Sequence, residues 1–184
     1  SDPATLGKDH SGCTHGLVVG LESYRTPFSR SAFIDDYPLN VVAANAASEG
    51  MLDMTNRTVM CGYSNTKALK KWGSWLIIDV CDAHAAEYKL PSSTSGWYFP
   101  SLGEMELLGD NYSIVNEKLK AIDQSYAIGA GLEFWVSTYF GVPTNSYTYI
   151  ISEGGLAADV RQGVVTGAAM LSSDTRYARY IFAF

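Results

Sequence analysis

The fifteen residues Trp97–Asn111, WYFPSLGEMELLGDN, decide how the chain is read. Trp97, Tyr98 and Phe99 are β-prone. Pro100 stands before Ser101, and Ser101 with Glu104 spells a capping box, S-x-x-E. Ser101 can accept from the amide three residues on, while Glu104 reaches back to the cap amide. Leu102, Met105 and Leu108 then share one helical face. The stretch predicts a strand end locked onto a helix start, with aromatics at the junction. Glu104 and Glu106 are not an acid/base pair, because positions i and i+2 of a helix do not face each other. Glu104 belongs to the cap and Glu106 is a solvated charge.

Upstream, HGLVVGLESY (15–24) has a strand-like middle between glycines. Residues 25–56 mix Thr, Pro, Ser, Asn and Asp, and predict a long surface excursion with an occasional helical turn. YSNTKALKKWG (63–73) predicts a short helix, capped by Ser64 or Asn65 and ended by Gly73. WLIIDV (75–80) is strand-sized. VCDAHAAEYKLP (80–91) predicts a second helix with Cys81, Ala85 and Tyr88 along its stripe, stopped by Pro91. Downstream, NYSIVNEKLKAI predicts an amphipathic helix with Ile114, Val115, Leu119 and Ile122 on one side. Beyond Gly129 the pattern turns to strands: GLEFWVSTY, SYTYIIS, LAADVRQ and YARYIFAF, separated by turn signals. Helices followed by strands predict an α+β domain with an antiparallel sheet.

The 184 residues suit one domain, and 47% hydrophobic with 17% charged residues is globular composition. A net charge of −6 and a pI near 4.9 argue against nucleic acid and against anionic lipid surfaces. No apolar run approaches the ~20 residues of a membrane span. Twelve tyrosines beside so little charge suit either a binding face or an aromatic core.

Candidate chemistry is sparse. His10, Cys13 and His15 lie within six residues, yet no second cluster completes a tetrahedral site. Cys81 and His84 sit one helical turn apart, but Asp79 and Asp82 flank the thiol where activation needs positive charge. Asp35, Asp36 and Asp53 lack the alternating loop of a calcium site. Cys13, Cys61 and Cys81 fit no zinc spacing; one disulfide would leave an odd thiol, and buried free thiols are the alternative. No nucleophile elbow, zinc-helix, P-loop or dinucleotide motif occurs. The expectation is a non-enzymatic domain without metal or cofactor.

GWYFPSLGEMELL resembles the WYLPS-x-x-E-L signature of bacterial C-type-lectin-like domains, among them the Fibrobacter-type major paralogous domain and the C-terminal domain of a collagen-like adhesin. HGLVVGL, GYSNTKAL, AHAAEY, LEFWVST and YARYIFAF resemble further segments of that family, in order, from His15 to Phe184. Tyr180 stands where the family often has proline, and Cys81 lies upstream of the usual helix cysteine. The resemblance implies a C-type-lectin-like fold of two main helices and a twisted antiparallel sheet, forming one domain over residues 1–184. Family members carry a strand ahead of HGLVV; the expectation is that it is missing here or supplied by a partner.

The calcium-dependent sugar motifs of animal relatives are absent. So are the late cysteines of the formylglycine-generating enzymes that share the broad fold. The function implied is an extracellular binding domain of a bacterial surface adhesin or receptor, holding a host glycan or protein surface without calcium. The alternative is a structural or assembly domain of a surface fibre, with a fibre subunit as partner. The family presents ligand contacts from its C-terminal strands and loops. The candidate contacts here are Tyr139, Asn145, Tyr147, Tyr149, Asp174, Arg176 and Tyr177, with Trp97, Pro100, Trp135 and Arg179 as scaffold.

Overall fold

Each residue of the Trp97–Ser101 stretch is tied to a different part of the chain in the computed structural model. The structure describes residues 2, 4–28, 39–73, 75–129, 131–139, 145–151, 158–164 and 175–184, with 145–151 and 158–164 described by backbone alone. The Trp97 indole donates to Tyr88 O at 2.6 Å. Tyr98 exchanges backbone bonds with Ile181. Phe99 N–H donates to Thr66 Oγ1 at 2.9 Å. Pro100 O accepts from Ser137 N–H at 2.8 Å. Ser101 Oγ accepts from Cys61 N–H at 3.2 Å. The segment makes one isolated bridge rather than a full strand, because its polar groups are shared among several elements.

Six α-helices are described: α1 (Leu6–Asp9), α2 (Leu39–Ser48), α3 (Gly62–Lys71), α4 (Leu76–Glu87), α5 (Leu102–Asp110) and α6 (Tyr112–Ile122). The strands are β1 (Leu17–Val19), β2 (Tyr24–Thr26), β3 (Glu133–Tyr139), β4 (Asn145–Ile151), β5 (Ala158–Val164), β6 (Arg176–Ala178) and β7 (Ile181–Ala183). The larger sheet runs β2-β6-β3-β4-β5, and β1 with β7 forms a second, two-stranded sheet. The α+β class and the strands after Gly129 match expectation. Two details do not. Five helices of 9 to 12 residues are present among the described residues rather than two main ones. The larger sheet is also mixed, since β6 runs parallel to β3 through Phe134↔Tyr177.

Strand β3 organises the core. Its residues are buried from Phe134 to Tyr139. Alternate side chains enter opposite layers. Phe134 and Val136 join Leu102, Met105, Leu119 and Ile128 below α5 and α6. Trp135 and Tyr139 join Phe28, Leu39, Val42, Leu69, Ile77, Cys81 and Tyr180 below α2, α3 and α4.

Three local readings are corrected. The excursion over 25–56 contains β2 and the ten-residue α2, whose Leu39, Val42 and Ala46 fall at helical spacing and are buried. WLIIDV is the first turn and a half of α4, with Trp75 as N-cap, and the buried stripe is Ile77, Ile78, Cys81 and His84. On α6, Ile114 is 65% exposed and Ile122 64%. The interior position goes to Asn116, whose amide donates to Ile128 O and accepts from Ile128 N–H.

The β1–β7 ladder is antiparallel, with Leu17↔Ala183, Val18↔Phe182 and Val19↔Ile181 opposed. Phe184 N–H donates to Gly16 O and Gly20 N–H to Tyr180 O. Those two bonds set the alternation. Even-numbered residues of β1 bond to β7, while Leu17 and Val19 turn their N–H and C=O groups to the opposite side. On its far flank β7 is bonded to Tyr98 and Ser95.

Candidate functional site

The junction at Glu104 is architectural. Its carboxylate is 3% exposed. Oε2 accepts from Ser101 N–H (2.7 Å), Ser101 Oγ (2.9 Å) and Gly62 N–H (3.1 Å), and Oε1 from Tyr98 Oη (3.2 Å). The capping box therefore forms on α5, and the same carboxylate also caps α3. Ser64 and Asn65, expected to cap α3, lie inside it. Asp2 accepts from Ser64 N–H at 2.7 Å instead, and Asn65 donates to Ser137 O. Burial raises the Glu104 pKa, against the bonds from Ser101 and Tyr98. A Cβ on Gly62 would meet Glu104 Oε2, and would lie 2.8 Å from both Phe99 O and Ser101 N. Only glycine lets the two helix starts share one carboxylate.

The four scaffold residues behave as such. Trp135 and Arg179 are each 1% exposed. Arg179 donates to Gly20 O (2.8 Å), Leu21 O, Tyr126 O (2.9 Å) and Ser23 Oγ (3.2 Å). Burial lowers its pKa to about 10. Pro100 is buried, and Trp97 is partly so.

Of the expected contact residues, the structure brings Arg176 and Tyr177 together. They line a shallow recess of about 330 Å³ with Arg25, Leu132, Glu133 and Thr175. β2 and β6 position them, with Arg25 opposite Tyr177 and Thr26 opposite Arg176. Arg176 pairs with Glu133 and lies over the Trp135 ring, 5.7 Å from its centroid. Arg25 is exposed and donates to Thr175 Oγ1 at 3.0 Å. The Tyr177 ring packs beside Phe134, with centroids 5.9 Å apart. Tyr139 is 5% exposed and belongs to the core, so its ring is no ligand contact. Asn145, Tyr147 and Tyr149 lie on β4, where Tyr149 is in register with Phe134. Asp174 lies outside the described residues. Arg25 and Glu133 were missed in the sequence; each sits in an ordinary strand context, and nothing local announces their meeting with Arg176.

The candidate catalytic and metal groups are dispersed. Cys81 contacts Trp97 O, and burial pushes its thiol up to about 12. His84 places Nδ1 2.8 Å from Tyr24 Oη, and its burial lowers the ring's pKa. His10 bonds Tyr63 Oη, Cys13 approaches Ser93 O, and His15 stacks on Phe184. Among the described residues no three His, Cys, Asp or Glu side chains could hold a metal ion. Cys13, Cys61 and Cys81 are all free and buried, which answers the pairing question.

No family model matches the chain. Its likeness is to fimbrial proteins. It is 28% identical over 186 residues to a putative fimbrium tip subunit, Fim1C, of Bacteroides ovatus, covering 78% of this chain and 34% of that protein. The crystal structure of a fimbrial protein from Bacteroides ovatus superposes with a TM-score of 0.76 at 22% identity, over 98% of this chain and 38% of that one. The fold is therefore shared with a fimbrial protein. The chain spans little more than a third of the length of either relative. No helix among the described residues is long and apolar enough to cross a membrane.

Proposed function

We propose that the chain is a non-catalytic domain of a bacterial surface fibre, acting as a fimbrial tip component outside the cell. The observation that carries this reading is the fold match over 98% of the chain to a fimbrial protein. The similarity to a putative tip subunit supports it further. Buried, high-pKa thiols at Cys61 and Cys81 support a role without covalent chemistry. Immunogold electron microscopy of intact cells tests it. The expected result is label at fibre ends; label confined to the cell interior refutes the reading.

A second reading adds ligand binding, and the Arg25–Arg176–Tyr177 recess favours it. Arg176 is countered by Glu133, while Arg25 brings an exposed positive charge beside a partly exposed tyrosine. That surface suits an acidic glycan or protein ligand, held by charge-assisted hydrogen bonds and ring contact. Glycan arrays and host-matrix screens should give hits that weaken in Tyr177→Ala and Arg25→Ala. Blank screens with folded protein remove the reading.

A further inference from the structure

Four aromatic rings enclose His84, on the buried stripe of α4. Tyr24, Tyr88, Trp97 and Tyr180 pack on its imidazole with ring centroids 4.5 to 5.5 Å away, and the residue is 2% exposed. The titratable groups around it are Glu22 and Tyr24 at the start of β2, Glu87 and Tyr88 at the end of α4, and Arg179 and Tyr180 between β6 and β7.

The bonds fix where the protons sit. Glu22 is a carboxylate held low by Tyr24 and Tyr88, so it only accepts. Tyr24 Oη lies 2.7 Å from Glu22 Oε2 and gives it its one proton. The same oxygen lies 2.8 Å from His84 Nδ1, so that contact needs its proton on Nδ1. Neutral His84 then carries a bare lone pair at Nε2. That atom is buried and has no hydrogen-bond partner among the described residues. It faces Gly20, where an added Cβ would stand 3.3 Å from it.

A second proton has no place in this arrangement. An imidazolium would present Nε2–H to a site without an acceptor, which buries an unpaired donor together with a charge. The segment best able to yield is 20–25. β2 is a three-residue strand at the edge of the larger sheet, and such elements open more readily than a core strand. Thr26 O, accepting from Trp135 Nε1 at 3.0 Å, pins the end of it. Arg179 resists opening through Gly20 O, Leu21 O and Ser23 Oγ.

The geometry points to an acid-operated latch: protonation of His84 at Nε2 drives residues 20–25 off α4, hinged at Thr26, so that water reaches the ring. Arg25 follows Tyr24 on β2 and lines the recess with Arg176 and Tyr177, so it leaves that recess as the latch opens. The latch works with or without a ligand there, and its test needs none.

Linkage sets the size of the effect. In the open form His84 is solvated and titrates near about 6.5, so at pH 5.5 about ten in eleven open molecules carry the proton. The closed form binds it less readily, so acidification from pH 7.5 raises the open population up to about tenfold. Glu22, with an ordinary pKa of about 4.3, adds little above pH 5.5.

Native-state hydrogen exchange of the full-length protein, read by mass spectrometry and corrected for the intrinsic pH dependence of exchange, measures it. Peptides covering 20–26 should exchange up to about tenfold faster at pH 5.5 than at pH 7.5. Below the unfolding range their rate should barely respond to urea, because the opening exposes little surface, whereas β3 should stay far slower and rise steeply with urea. His84→Asn keeps a donor for Tyr24 and cannot titrate, so the acceleration should vanish. Nitrogen NMR of the unaltered protein should find the neutral ring protonated at Nδ1.

Exchange of 20–26 with the urea slope of β3 overturns the latch, since the segment then opens only when the whole domain unfolds. So does a corrected rate that ignores pH, or an acceleration that persists in folded His84→Asn. A neutral ring protonated at Nε2 overturns it whether or not that variant folds.

Discussion

Replacing Glu104 isolates the shared helix cap. In Glu104→Ala, Gly62 N–H and Ser101 N–H lose their acceptor in a site 3% exposed. A buried unsatisfied donor costs about 1–3 kcal/mol. With the vacated side-chain volume added, the expected loss is about 3–5 kcal/mol, or roughly 10 °C in melting temperature for a chain of this size. Glu104→Gln keeps an oxygen for both amides, and Tyr98 Oη can accept from the new NH₂, so its cost should stay below about 1.5 kcal/mol. Urea unfolding followed by tryptophan fluorescence measures both. The reasoning is refuted if the alanine variant loses no more than the glutamine variant.

Arg179→Lys should cost about 2–4 kcal/mol in the same assay, because one ammonium cannot serve Gly20 O, Leu21 O and Tyr126 O together. Burial lowers the folded-state pKa of His84, opposed by Glu22. The unfolded chain therefore binds the proton more readily, and stability should fall as pH drops below about 6.5. Glu22, held low by Tyr24 and Tyr88, extends the decline through the carboxylate range. His84→Leu should flatten the upper part of that slope; an unchanged slope assigns it elsewhere. Iodoacetamide at pH 8 should leave Cys61 and Cys81 unlabelled until urea unfolds the protein, since burial pushes both thiols up to about 12.

What was legible in the sequence was local. Ser101 and Glu104 sit three residues apart, and the box they predict forms. The strands after Gly129 alternate between turn signals, and they form too. What stayed hidden depended on distant neighbours. WLIIDV reads equally as a buried strand or a helix start, and only its packing under Phe28 decides; Ile77 N–H donates to Phe28 O. α2 is half alanine and serine, and its weak pattern gains meaning from the Trp135 layer beneath it. The interior place of Asn116 depends on the backbone groups of Ile128, twelve residues away. In the candidate site, Arg176 and Tyr177 were named from the resemblance, through their place in the last strands. Tyr139 was misassigned because one strand's pattern does not reveal that helices cover both of its faces.

The β1–β7 pair also sets how the domain responds to mechanical load. The start of β1 lies against the end of β7, with His15 N–H donating to Phe184 O. Tension applied ahead of Leu17 and beyond Ala183 would pull this pair apart at one end and open its rungs in succession, like a zipper. A domain gripped from only one side would never feel that peeling force.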